Sequence, residues 1–282
     1  MTDDGYEAAH ESAAWKRLGA GVLRVTGDDS HDFLDRTVTA DIGDEPTRAL
    51  LLDPDGKTQD SLYVLPRNDG FLVVSHRPEE TAETWRSNVF VEDVTVEVTG
   101  ASVVSVQGPD AASTLEKLDT TATYETKRTP AGGYDGIVEN ETPDAPLYDD
   151  HADALRVEAG VAGFEKELAG RVPVGARLEL FSEDKCYVGQ EVVARVRQRG
   201  GGPSRVLHPL LLDDAVPEGA TVKRDGTAVG EVTTVAESPL YGDVGLAYVD
   251  ADAGETVEIE GVGAEVREPP LTEVDEETGV DA

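Results

Sequence analysis

"VLRVTGDDSHDFLDRT" occupies Val22–Thr37, and "VVSVQGPDAASTLEKL" occupies Val103–Leu118, a constant offset of 81 residues. Val22/Val103, Val25/Val106, Gly27/Gly108, Asp29/Asp110 and Leu34/Leu115 match across it. Each copy reads as a β-branched strand, a glycine turn and a helix, the first capped by Asp28 or Asp29. Strand–glycine–helix is a common local pattern, so coincidence stands beside duplication as an explanation. The better reading is a duplicated α+β unit related by a pseudo-twofold.

Outward from these copies, Ala9–Ala20 reads as a short amphipathic helix. Strands around Leu50–Leu52, Ser61–Leu65 and Phe71–Ser75, separated by "DPDG" and "RNDG", predict an antiparallel meander. "RPEETAETWRSNVF" predicts a helix with acids in its first turn. Thr129–Ala154 is turn-rich and acidic and reads as a surface excursion with little core. Gly200–Pro203 marks a domain boundary, and about six short strands beyond it predict a small barrel. The organisation expected is therefore residues 1–202 as one α+β region, 203–268 as the barrel and 269–282 as an acidic disordered tail.

The 282 residues carry 58 acids against 24 lysines and arginines, a formal charge of −34. With 39% hydrophobic residues and recurrent β-type runs, the chain is folded rather than a disordered acidic polymer. In molar salt the Debye length falls to roughly 3 Å, which removes most self-repulsion. The acidity therefore reads as adaptation to a salty cytoplasm, a halophile's protein. It argues against duplex nucleic acid as a partner. One cysteine excludes an intramolecular disulfide and any protein-held cluster needing several thiolates, and no metal site is read. No signal peptide and no apolar run of about 18 residues is seen, so a soluble, cytoplasmic protein with no membrane partner is expected.

The single thiol lies in "KCYVGQEVVARVRQRGG", Lys185–Gly201. From Lys185 to Arg205, Lys185, Arg195, Arg197, Arg199 and Arg205 stand against one acid, Glu191, inverting the ratio of the whole chain. On a strand, Arg195, Arg197 and Arg199 would project from one face and offer guanidinium forks to carboxylate or phosphate. Equally, they would pair with the chain's own abundant acids. Gly189 and Gln190 offer an open backbone and an amide to a polar ring. Cys186 reads either as an inert buried residue or as a reactive thiol beside Lys185, with Asp184 acting against thiolate formation.

"CYVGQEVVARV" resembles the signature of the YgfZ-type folate-binding proteins, relatives of the T-protein (aminomethyltransferase, GcvT) of the glycine cleavage system. Cys186, Tyr187, Gly189, Gln190 and Glu191 match that signature, while Asp184–Lys185 replaces its usual Lys–Gly. "VTGDDSHDFLDRTVTADI", "LLDPDGKTQDSLYVL", "VQGPDA" and "LRVEAGVAGFEKEL" resemble other blocks of the family in order, and "GTAVGEVTTVAESPLYGDVGLAYV" resembles the T-protein's C-terminal barrel. The region between Asp119 and Asp153 is shorter than the family norm.

The resemblance implies an α+β, GcvT/YgfZ-like folate-binding ring of duplicated units followed by a small β-barrel, with tetrahydrofolate, as the monoglutamate or polyglutamylated, in the ring's hole. T-proteins carry an Asp-Asp pair on the hairpin that helps activate the folate nitrogen. Here Asp60–Ser61 stands at that place, leaving one acid. The implied catalytic residues are Cys186 and Asp60. Those implied to hold folate are Asp60, Arg156, Lys185, Tyr187, Gln190, Glu191, Arg195 and Arg197. The leading expectation is a YgfZ-type protein supporting iron–sulfur cluster assembly or repair through a reactive cysteine, with iron–sulfur clients as partners. The enzymatic alternative is aminomethyl transfer from a lipoyl carrier protein to tetrahydrofolate. A third is a non-catalytic interaction module that has lost folate.

Overall fold

The computed structural model describes residues 4–183, 185–198 and 202–271. Its first part runs α1 (Asp4–Glu11), β1 (Ala14–Arg17), β2 (Gly21–Thr26), α2 (Ser30–Thr37), β3 (Thr47–Leu52), β4 (Thr58–Arg67), β5 (Gly70–Ser75), α3 (Pro78–Asn88) and β6 (Thr95–Val98). There follow β7 (Ser102–Gln107), α4 (Ala111–Leu115), β8 (Ala122–Thr126), β9 (Gly133–Val138), α5 (Ala152–Ala159) and α6 (Gln190–Gln198). One sheet has the order β3-β4-β5-β2-β6 and the other β1-β7-β9-β8.

The duplication extends beyond the matched blocks. Shifting β1 and β2 by 81 residues gives Thr95–Val98 and Ser102–Gln107, the bounds of β6 and β7. Each first strand pairs with the other copy's central strand. Ala14 faces Gln107 and Arg17 faces Val104, while Thr95 faces Thr26 and Val98 faces Leu23, which is the same register after the shift. The two halves thus exchange their leading strands, and neither sheet is complete without the other half.

The turns agree as well. Gly27 and Gly108 sit at φ 112° and 113°. A Cβ there would meet the Asp93 carbonyl oxygen at 2.0 Å and the Ser12 carbonyl oxygen at 2.5 Å, so the positions demand glycine. Those same carbonyls accept the N–H of Asp29 (3.2 Å) and of Asp110 (2.7 Å), the residues that lead into α2 and α4.

Strand alternation sends each sheet's side chains to two cores. Leu23, Val25, Leu62 and Val64 pack with Phe33, Leu34 and Trp85 under α2 and α3. Val104 and Val106 pack with Ala111 and Leu115 under α4. The opposite faces meet each other through Val22, Leu65, Val74, Val103, Tyr124 and Ile137, so helices cover the outside of a sheet-on-sheet sandwich.

The third body is a closed barrel of β10 (Arg205–Leu212), β11 (Thr221–Arg224), β12 (Thr227–Ser238), β13 (Gly242–Asp250), β14 (Thr256–Ile259) and β15 (Val262–Val266), in the order β10-β13-β12-β11-β14-β15. Tyr187, Val193, Leu207, Leu246 and Tyr248 join Leu50, Leu52, Phe164 and Leu168 in one core between barrel and hairpin. The mixed fold with a terminal barrel agrees with the expected class.

Four local expectations are corrected. The helix predicted over Ala9–Ala20 is instead α1 followed by β1, because pairing with β7 outweighs the local amphipathic pattern. The supposed excursion at Thr129–Ala154 contains β9, whose Asp135, Ile137 and Val138 are buried. The predicted arginine strand is α6. Of the supposed tail, Leu271 is packed: it is buried and its N–H donates to the Glu158 carbonyl at 2.7 Å. Residues 199–201, at the expected boundary, and 272–282 lie outside the described residues.

Candidate functional site

Where the two sheets, the end of α5 and the segment 161–166 converge, a cavity of about 300 Å³ is lined by Arg48, Ser61, Tyr63, His76, Arg128, Tyr148, Arg156 and Phe164, among others. A wider chamber of about 1020 Å³ is lined by Arg48, Tyr63, Lys127, Arg128, Thr129, Arg177 and Pro269, among others. Arg48, Tyr63, Arg128, Val161 and Ala162 border both, so the two chambers share a wall of two arginines and a tyrosine.

The elements explain how these side chains arrive there. Arg48 on β3 lies opposite Tyr63 on β4, and its guanidinium carbon stands 6.0 Å from that ring's centre. The Tyr63 and Tyr124 rings lie 4.4 Å apart, which joins the first sheet to the second. Arg128, just beyond β8, is held by fully buried Asp135 of β9 through Nε and Nη2, at 3.1 and 2.6 Å to Oδ2. Gln107 braces the same loop, donating to Thr126 at 2.9 Å while its oxygen accepts the Arg128 N–H at 3.3 Å. His76 follows β5 and stacks on Phe164, with centroids 4.9 Å apart and 24° between planes.

Charge in this site is unevenly compensated. Burial works against the Arg128 cation, but Asp135 more than offsets it and keeps the guanidinium firmly protonated. Arg48 has no such partner among the described residues: burial, then repulsion from Arg128, depresses its pKa, and its Nε is buried without a hydrogen bond. Burial and the nearby Arg128 and Arg48 push His76 down to about 4, so its imidazole is uncharged at neutral pH. Thr129 Oγ1, beside the wider chamber, is likewise buried without a partner.

The structure brings Arg156 to this site but not the other residues named from the sequence. Asp60 and Ser61 alternate on β4, so one faces each side. Ser61 lines the inner cavity, while fully buried Asp60 turns away from it. Asp60 accepts from the backbone N–H of Ser61 (2.8 Å) and His76 (3.0 Å) and from the hydroxyls of Ser75 and Thr81 (2.7 Å). Burial pushes its carboxyl up, and those hydrogen bonds pull it back without cancelling the rise. The acid expected to serve the ligand instead braces the β5–α3 turn and so aims His76.

Arg156 lines the inner cavity, yet five hydrogen bonds use its donors: two to Asp153, one each to the Val161 carbonyl, Glu167 and Thr234. It organises the wall and has no spare donor for a ligand carboxylate.

Cys186, Lys185, Tyr187, Gln190, Glu191, Arg195 and Arg197 line neither chamber. Their segment packs on the β3–β4 turn, where Gly189 at φ 80° leaves no room for a Cβ against the Asp53 oxygen at 2.6 Å. Cys186 is exposed. Lys185 spends its ammonium on Asp35 at 2.9 Å and on the Ala40 carbonyl, and Gln190 donates to the Lys185 carbonyl at 2.7 Å. Tyr187 is buried in the barrel-side core.

In a helix, residues two apart stand about 200° around the axis, so Arg195 and Arg197 do not share a face. Arg195 pairs with Glu191 at 2.6 Å and Arg197 with Glu183 at 3.1 Å, the chain's own acids. Arg199 and Asp184 lie outside the described residues. No group of ligand-type side chains suited to a metal ion occurs among the described residues, and none of their helices is long and apolar enough to cross a membrane.

The cavity residues missed in the sequence left faint signals. Arg48 interrupts the apolar strand "TRALLL", His76 ends "FLVVS", and Lys127–Arg128 is a basic pair in an acidic chain. Nothing local says that these three converge.

Comparison with known proteins points one way. Residues 205–272 match the family described as the glycine cleavage T-protein C-terminal barrel domain. The chain is 28% identical over 293 residues to an aminomethyltransferase of Bacillus velezensis, covering 85% of this chain and 80% of that one. It is 29% identical over 298 residues to a probable aminomethyltransferase of Natronomonas pharaonis, covering 88% and 82%. Among solved structures, the glycine cleavage system aminomethyltransferase T from Bartonella henselae superposes with a TM-score of 0.76 at 18% identity, covering 94% of this chain and 88% of that one. The fold, barrel included, is that of this structure.

Proposed function

We propose that this chain is a folate-binding protein of the aminomethyltransferase (GcvT) superfamily that passes a one-carbon unit, carried as an aminomethyl group on a lipoyl carrier protein, to tetrahydrofolate in the two-chambered cavity. Methylene-tetrahydrofolate forms as the carbon–sulfur and carbon–nitrogen bonds of the aminomethyl group break, releasing the dihydrolipoyl thiol and ammonia. The observation that carries the reading is the cationic wall between the chambers, Arg48 and Arg128, in a chain of formal charge −34. Such a site suits an elongated ligand with a flat polar head and an acidic tail. The 300 Å³ chamber, with Tyr63, His76 and Phe164 on its wall, fits the head. The wider chamber, with Lys127, Arg128 and Arg177, fits the tail. The buried Nε of Arg48 and Oγ1 of Thr129, both without partners, are polar atoms that such a ligand would satisfy. The relatives named aminomethyltransferases support the transfer reading over a purely accessory one.

Tetrahydrofolate, when bound, supplies the nitrogen that accepts the one-carbon unit. This chain's residues orient and enclose it. His76, held by Asp60 and by its stack on Phe164, presents an uncharged imidazole that can accept or donate a proton. Ser61 offers a hydroxyl where the resemblance places an acid.

A second reading is favoured by two features. Asp60 faces away from the cavity and Cys186 is exposed, which suits a folate-binding protein that acts through a surface thiol, in support of iron–sulfur proteins, without transferring carbon. Two measurements separate the readings. Calorimetric titration in molar salt should show tetrahydrofolate binding; its absence would leave a folate-free interaction module. A single-turnover assay with aminomethylated lipoyl carrier protein should then yield methylene-tetrahydrofolate. Binding without turnover, with a supporting function lost in Cys186→Ala, would decide for the second reading.

A further inference from the structure

Among the described residues, Arg48 is the half-buried arginine that the fold leaves without a carboxylate partner. Arg128, Arg156, Arg171 and Arg177 each hold a carboxylate, at 2.6, 2.8, 2.9 and 2.9 Å respectively. With 58 acids available, an arginine on the wall of two cavities could have been paired at little cost. Arg48 instead shares the wall of both cavities with a second cation, Arg128, which Asp135 holds directly. Its position is rigid: β3 and β4 set it opposite Tyr63, whose ring lies under the guanidinium. A buried donor without an acceptor costs stability, and a cation beside a cation adds to that cost. Such an arrangement persists where a ligand completes it.

We infer that Arg48 is the residue that binds the ligand's tail carboxylate where the two chambers adjoin. The inference rests on the folate reading and deepens it by separating tail recognition from head recognition. A guanidinium fork over a tyrosine face has the geometry for a bidentate carboxylate contact, which a lysine would not reproduce. Arg195 and Arg197, expected in this role, are engaged with Glu191 and Glu183.

The test compares tetrahydrofolate with tetrahydropteroate, which has the same head and lacks the glutamate tail. Both are titrated calorimetrically into the wild-type chain and into Arg48→Met in molar salt, with thermal unfolding of each ligand-free protein alongside. The wild type should prefer tetrahydrofolate by at least tenfold. Arg48→Met should lose that preference while binding tetrahydropteroate as the wild type does. Its ligand-free thermal midpoint should equal or exceed the wild type's, since an uncompensated charge has been removed; a merely structural arginine would lower it. Tetrahydrofolate affinity within twofold of wild type in Arg48→Met overturns the assignment, as does an equal loss for both compounds with a lowered midpoint. A wild-type chain that binds neither compound removes the folate reading itself and the assignment with it. Intact wild-type binding with an indifferent Arg48→Met removes the assignment alone.

Discussion

Lowering the pH should expose what it costs to keep His76 neutral. In the folded protein its pKa is pushed from the ordinary 6.5 down to about 4 by burial, with Arg128 and Arg48 adding to the effect. Because the folded pKa is depressed, the unfolded chain binds the proton first. The contribution to stability is therefore complete above pH 6.5, falls as the pH drops below it, and is fully lost near pH 4. At about 1.4 kcal/mol per pH unit the span corresponds to about 3 kcal/mol, an upper figure for a ring that retains some solvent contact. The total pH profile will not show this directly, because protonating carboxylates also relieves repulsion in so acidic a chain. The difference between wild type and His76→Gln removes that background, since every other group is common to both. Urea unfolding in molar salt at steps from pH 7.5 to 4.5 should show the wild type losing stability faster than the variant on acidification. Parallel curves would refute the reasoning, as would an imidazole that titrates near pH 6.5 by NMR.

Three further outcomes follow from the packing. Gly27→Ala should cost about 2 to 4 kcal/mol in chemical unfolding, since its Cβ would sit 2.0 Å from the Asp93 oxygen at φ 112°. Arg128→Gln should cost about 3 to 5 kcal/mol in chemical unfolding, because fully buried Asp135 loses its counter-charge. The thermal midpoint should rise steeply from about 0.1 M to molar salt as the Debye length shrinks from roughly 10 to 3 Å, and a flat profile would contradict the repulsion argument.

The sequence by itself determined the features that depend on neighbours along the chain. The strand–glycine–helix copies, the hairpin strands and the barrel follow from alternation, turn glycines and β-branched runs, which act over a few residues. Even the 81-residue offset carries the register of the exchanged strands, because Ala14/Gln107 and Thr95/Thr26 are the same pair counted twice. The site was decided elsewhere. Arg48, His76, Arg128 and Phe164 come from four separate segments and become neighbours only when two sheets and a loop close on one another. The motif with the strongest local signature misled for the same reason. "ARVRQR" alternates like a strand, yet its described residues, 194–198, belong to a helix whose start packs Gly189 against the Asp53 turn and whose Val193 lies in the barrel-side core. Asp60 shows the distinction at its smallest scale: its presence in the hairpin is a fact of sequence, but which side of the sheet receives a carboxylate and which a serine depends on what packs there. A charge's role is set by its partner, and partners across a fold are assigned by packing.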